Sequence, residues 1–298
     1  MLLANIFVWF FGVLAAALGE TLLQLITIGG PLVLFALWAH WLEIRVAERL
    51  VPRFGWRACL WTGWLGTPIH ELSHAALCLV FWHHIDKMAL FEPDLKTGRL
   101  GYVVHSYDPR SMYQVAGNFF IGLAPLAGGV MVLYGLLWLL EPSVAQAALA
   151  DKGLRQAVNA GYWGDAFIAY LQLLLHVVGS LLTLDNLLSW QFWVFLYLAL
   201  CVGMHLAPSP DDYQGAWGGG LLLLGLLYAA NLLALIIGFS PGWTISTASP
   251  VVGPLLAILA LCSAITGLSA AFVAGFTAIL DRFFPIRAMD YPSETAAK

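Results

Sequence analysis

The sequence predicts an all-α polytopic membrane protein, with about six to eight transmembrane helices and one small β-hairpin. Of its 298 residues, 61% are hydrophobic and only 10% are charged, against about a quarter charged in ordinary soluble domains. A chain this apolar cannot wrap one core in a polar surface, so its solvent must be lipid. The mean hydropathy of +0.83 agrees. Apolar runs of spanning length recur along the chain, and no soluble module or internal repeat interrupts them. Residues 1–298 therefore read as a single polytopic domain.

A spanning helix needs about 20 mostly apolar residues. In order, the candidate segments are 5–18, 21–44, 58–83, 113–140, 167–184, 190–205, 219–239 and 251–280. The first is short, and either merges with the second or lies at the membrane interface. No Lys or Arg precedes Arg45, so Ala15-Ala16-Ala17 lacks the positive region of a secretory signal and reads as part of a retained membrane segment. Cys59, Cys78, Cys201 and Cys262 lie apart within apolar stretches and form no CxxC pair. They read as small buried hydrophobes. The net charge of −4 and the absence of a basic run argue against a nucleic-acid partner.

Two stretches break the helical pattern. Residues 87–106 hold Pro93, a Lys96-Thr97-Gly98-Arg99 turn and flanking apolar alternation, which predicts a β-hairpin. Residues 207–215 hold Pro208 and Pro210, then Asp211 and Asp212; the prolines end one helix and the acidic pair suits the start of another. Arg45, Arg49, Arg53 and Arg57 place the side preceding segment 58–83 in the cytoplasm, and Arg282 and Arg287 place the C-terminal end there too. Yet Lys87, Lys96, Arg99 and Arg110 follow that segment. Either the hairpin dips back into the membrane or the charge rule fails locally.

Segment 58–83 carries His70-Glu71-Leu72-Ser73-His74. In a helix, His70 and His74 project from one face, one turn apart. Two imidazoles so placed suit one Zn²⁺, with Glu71 beside them as general base toward a metal-activated water. With 8 His in 298 residues, chance supplies roughly 0.005 such motifs, so the match is informative. His70 lies 13 residues after Arg57, about 20 Å along a helix and therefore near mid-membrane. Imidazoles and a carboxylate buried there are costly unless they serve a site. A third zinc ligand has several candidates: Asp212, Asp211, Asp185 and, less suited, Glu92 or Asp94. Asp185 sits in a tight connection, where a capping or turn role competes. Asp211 and Asp212 follow a Pro-broken stretch, and freed backbone is tolerated in a membrane only around a protein-lined cavity.

Residues 67–74 (TPIHELSH), the hairpin after them and the Gly117-Asn118…Pro125 helix resemble the site-2 protease class of intramembrane zinc metalloproteases. In that class a small β-hairpin follows the HExxH helix and a later helix break supplies an Asp ligand. Its LDG signature is absent here; Leu184-Asp185-Asn186 is the nearest approximation. The stretch from His205 to Ala216 (HLAPSPDDYQGA) is similar to the equivalent segment of compact bacterial members. The resemblance thus implies Asp212 as third ligand, Asp211 as second choice, and a core spanning about residues 57–218. It also implies that Asn118 can help hold substrate or the oxyanion, a role that competes with helix-packing glue for an amide in an apolar helix. His205, at the start of the Pro-broken stretch, either lines the site or lies at the membrane interface.

The remaining histidines have plainer roles. His83 and His84 read as interfacial anchors beside Trp82, and His40 and His176 as interhelical hydrogen-bond partners. The sequence thus points to a zinc metalloendopeptidase of a bacterial inner membrane, acting on a membrane protein or peptide. The rival is a non-proteolytic transporter or scaffold that keeps the metal motif. A scaffold needs no general base beside two ligands, and a transporter tends to show repeats with paired broken helices, which this chain lacks.

Overall fold

The computed structural model describes residues 2–94, 96–239 and 247–284; Arg287 lies outside them. Among the described residues the fold is all-α apart from one two-stranded sheet. Helix α1 (Leu2–Gln24) runs through a π-helical turn (Leu25–Gly29) into α2 (Gly30–Phe54), so the first two apolar segments merge. The π turn precedes Pro31, whose ring removes a helical donor. The apolar stretch Asn5–Phe54 is 50 residues, about 75 Å at helical rise.

A turn at Gly55, with φ +65°, leads into the motif helix α3 (Arg57–Val80). It ends three residues before the expected boundary because Trp82 adopts φ +59°, a left-handed position that glycine ordinarily fills. The His83 N–H then returns to the Cys78 carbonyl at 2.8 Å. Strain at Trp82 is offset by aromatic contacts: Trp82 and Phe81 pack on Tyr113, and Phe81 stacks on Phe120.

The reversed chain forms β1 (His84–Ala89) and β2 (Tyr102–Ser106), an antiparallel pair with a bulge between Ile85 and Lys87. The hairpin thus starts earlier than the expected residue 87. It folds back along α3: Gly101 lies against Thr67 and Glu71, and Leu100 and Phe91 lie against Gly63. From Val80 to Gly63 is about 25 Å along the helix. The tip therefore returns toward the Arg57 end, carrying Lys96 and Arg99 with it. The tip cations Lys96 and Arg99 thus stand toward the end of α3 where Arg57 stands, whereas Lys87 lies in β1 and Arg110 precedes α4, outside the tip.

Helices α4 (Met112–Gly122) and α5 (Ala124–Leu140) are bent by 51° at Leu123, where Pro125 withholds a donor from the helical ladder. Short helices α6 (Pro142–Ala150) and α7 (Gly153–Ala160) lead to α8 (Trp163–Leu181), α9 (Leu184–Leu188) and α10 (Trp190–Gly203). Helices α11 (Pro210–Ile236) and α12 (Ser249–Phe283) complete the described chain. The core lies among α5, α8, α10 and α12, around Leu133, Leu137, Val177, Phe192, Phe195 and Ile265. Large apolar side chains such as Phe7, Val8, Leu175 and Ile279 face outward, as in a protein solvated by lipid. Helices α1 and α11 are joined by buried Asn231, whose amide donates to the Thr21 hydroxyl and to Gln24 Oε1, both at 2.9 Å.

Among the described residues, four helices are long and apolar enough to cross a membrane, or five if α4 and α5 count as one bent span. Helix α3 has the length but is too polar to join them, and α10 is only 14 residues.

Candidate metal centre

Three elements bring polar groups to one point beside the middle of α3. His70 and His74 lie one turn apart with their rings edge to face, and their Nε2 atoms are 3.1 Å from each other. Asp212, in the first turn of α11, sets Oδ1 at 3.1 Å from His74 Nε2 and Oδ2 at 3.5 Å from His70 Nε2. Each imidazole is fixed from behind by a backbone carbonyl. His70 Nδ1 donates to the His205 carbonyl at 2.9 Å, and His74 Nδ1 donates to the Ile121 carbonyl at 2.8 Å. A carbonyl only accepts, so both Nδ1 atoms carry the proton and both Nε2 lone pairs point toward the carboxylate.

That arrangement fits a bound cation. Two lone pairs 3.1 Å apart repel unless something positive lies between them. Donors each about 2.0–2.1 Å from a tetrahedral zinc lie about 3.3 Å apart, a value that the observed separations of 3.1 and 3.5 Å bracket. Histidine ligands whose other nitrogen donates to a carbonyl are the usual pattern at zinc.

The helix start explains how Asp212 arrives there. Ser209 caps α11, its hydroxyl accepting from the Asp212 N–H at 3.3 Å, while the Ser209 N–H donates to Asp212 Oδ2 at 2.6 Å. One carboxylate thus closes a capping box and still faces both histidines. Its approach requires Gly122 on α4: a Cβ there would lie 2.6 Å from the Asp212 carbonyl oxygen. Likewise a Cβ at Gly66 would lie 2.2 Å from the Cys201 carbonyl and 2.7 Å from the His205 ring. That notch in α3 lets the end of α10 close in until the His205 carbonyl reaches His70. We expect Gly122→Ala to shift Asp212 and to weaken any zinc affinity of the group about 10–100-fold, the usual cost of disturbing a ligand's support. Competition with a chelating dye measures it; unchanged affinity would show that α4 and α11 separate freely.

These groups line a cavity of about 550 Å³, together with Glu71, Asn118, His205 and residues Gly98–His105 of the hairpin. Glu71 is buried beneath Gly101, next in sequence to His70. Asn118 is buried on α4. The His205 ring packs in the Gly63–Gly66 notch, and its Nε2 has no hydrogen-bond partner. Asp211 lines the cavity but stays outside the ligand group. Asp185 caps nothing at the site: it lies in the first turn of α9, behind the Thr183 cap. Asp94 closes the hairpin tip, accepting from the Lys96 N–H and the Thr97 hydroxyl, both at 2.9 Å. Those bonds hold its carboxyl below the usual carboxylate range. Glu92 pairs its N–H with the Leu100 carbonyl at 2.7 Å, within the hairpin.

Some expectations need correction. His83 is buried rather than interfacial. His40 pairs with Glu43 on its own helix, at 3.8 Å, and both border the cavity. His176 is exposed on α8. Sequence reasoning also missed His105, which lines the cavity from β2. No spacing rule marks a lone strand histidine. All four cysteines are free. Comparison of the chain with protein-family models, curated proteins and solved structures finds no match to any of them.

Proposed function

We propose that this chain is a membrane-embedded zinc endopeptidase, with His70, His74 and Asp212 as metal ligands and Glu71 as general base. The observation that carries this reading is the pair of oriented imidazoles converging with one carboxylate beside a second, buried carboxylate in a cavity. Zinc held there supplies Lewis acidity and lowers the pKa of a water to about 7. Glu71 takes a proton from the attacking water and returns it to the leaving amine nitrogen, so hydrolysis balances as one water per peptide bond. Asn118 stands ready to donate to the substrate carbonyl oxygen. A pure scaffold gives no reason for a buried carboxylate at Glu71, and the resemblance to site-2 proteases points the same way.

The lipid bilayer is the proposed surrounding, and a bacterial inner membrane the proposed location. Within it, α3 and α10 lie inside the membrane beside the four or five apolar spans, of which Asn5–Phe54 is one long helix. That brings the count within the six to eight read from the sequence. The substrate is a membrane protein or peptide, which must be extended to expose a backbone amide. Gly98–His105 border the cavity as an unbroken run, so a strand edge, rather than one face of a strand, meets the substrate. Pairing along that edge holds an extended chain.

Alternate N–H groups of β2 point away from β1, so of Val103→Pro and Val104→Pro one removes an outward donor and the other a ladder donor. We expect both to reduce cleavage. Undiminished cleavage in both would eliminate edge pairing. The reading as a whole is tested on an unfolded model polypeptide in detergent. Chelation by phenanthroline should stop cleavage and added zinc restore it; cleavage indifferent to chelation would overturn the zinc peptidase.

A further inference from the structure

We propose that His105 binds the substrate backbone through Nε2, and that His83 is a positioning residue that fixes the His105 tautomer. This rests on the peptidase reading above.

His83 is a buried histidine that the proposed hydrolysis does not use. His83 follows the left-handed turn at Trp82, and its ring is sealed in the protein. It stacks on Tyr107, with centroids 5.1 Å apart and planes at 17°. Its Nε2 is 2.9 Å from the Gln114 carbonyl oxygen at the start of α4. A carbonyl accepts only, so Nε2 carries a proton; the tautomer with its one proton there leaves Nδ1 as an acceptor. At 3.0 Å from that acceptor stands His105 Nδ1, which must therefore be the donor. Neutral His105 then has a single free lone pair, on Nε2. Burial, with the nearby His83 and His74, lowers the His105 pKa from its ordinary value, which keeps the ring neutral at pH 7.

Placement gives this lone pair a use. His105 lines the same cavity as His70, Glu71 and His74, and its Nδ1 is engaged by His83, so Nε2 is the nitrogen left to the cavity. In the sheet His105 pairs with Ile85, next to the bulge between Ile85 and Lys87; bulges beside active sites commonly re-aim a side chain. A peptide lying along β2 presents N–H donors, and the zinc site offers acceptors only for the scissile unit. A neutral acceptor on the strand itself matches a backbone amide, whereas a cationic ring would repel it. The chain of hydrogen bonds from Gln114 through His83 to His105 thus converts the docking of the hairpin on α4 into the orientation of one acceptor.

Two substitutions separate this role from a merely structural one. Glutamine carries its terminal amide about where Nε2 stands, so His105→Gln keeps a cavity acceptor and loses the link to His83. Asparagine reaches only as far as Nδ1, so His105→Asn keeps the link and loses the cavity acceptor. The measurement is the affinity of the full-length, zinc-loaded protein in detergent for two probes. One is a peptidyl hydroxamate, an extended peptide ending in a zinc-chelating group; the other is acetohydroxamate, the chelating group alone. We expect His105→Asn to bind the peptidyl probe about tenfold more weakly, the worth of one hydrogen bond. Acetohydroxamate affinity and zinc content should not change, and His105→Gln should stay close to wild type for both probes. The reverse pattern, with Asn tolerated and Gln defective, would make the histidine pair a latch and overturn the proposal, as would two unaffected variants. Wild-type protein that binds neither hydroxamate would remove the peptidase reading itself, and the proposal with it.

Discussion

Glu71→Gln is expected to leave zinc binding intact and to lower peptide hydrolysis by about 10²–10⁴-fold. Glutamine matches the shape of glutamate, so it still fits beneath Gly101 and beside Thr67. What it lacks is the ability to accept a proton from water. Because Glu71 is not in the proposed ligand group of His70, His74 and Asp212, metal content should not change. Rates divided by bound zinc check this directly. A variant that keeps its rate within about tenfold would assign the base to another residue.

The second large effect is expected at Asp212. Asp212→Asn keeps an amide oxygen for the Ser209 N–H, so the start of α11 and the fold should persist. The charge and one of the two carboxylate oxygens facing the histidines are lost. Zinc affinity should fall further than the roughly 10–100-fold that loss of an outer hydrogen-bond partner costs, and hydrolysis should fall with it. Thermal unfolding of the metal-free forms should differ little. A large loss of stability in metal-free Asp212→Asn would mean that this aspartate serves the helix cap first.

How far the sequence could be read follows from the range of the forces involved. The helical placement of His70 and His74 was legible because a four-residue spacing fixes their common face whatever surrounds them. The helix break before Asp212 was legible because Pro208 and Pro210 act through their own backbone. That Asp212 rather than Asp211 meets the histidines depends on the Ser209 cap, which turns the third helical residue inward; Ser209 stands three positions before Asp212, so that signal was present. The close approach of α10 and α11 was not legible, because glycines at 66 and 122 matter only through what packs on them. His83 looked interfacial beside Trp82, yet an unusual backbone turn carries it inward. The joining of α1 and α2 through a π turn was open in the sequence, because either a merged helix or a short interfacial segment fits the same apolar run.

The most direct test of the zinc centre is the metal content of detergent-purified wild type beside Asp212→Asn and Asp185→Asn. We predict about one zinc per chain in wild type and in Asp185→Asn, and a large loss in Asp212→Asn. Zinc-free wild type from chelator-free preparation, or zinc retained in Asp212→Asn and lost in Asp185→Asn, would contradict the site described for this chain.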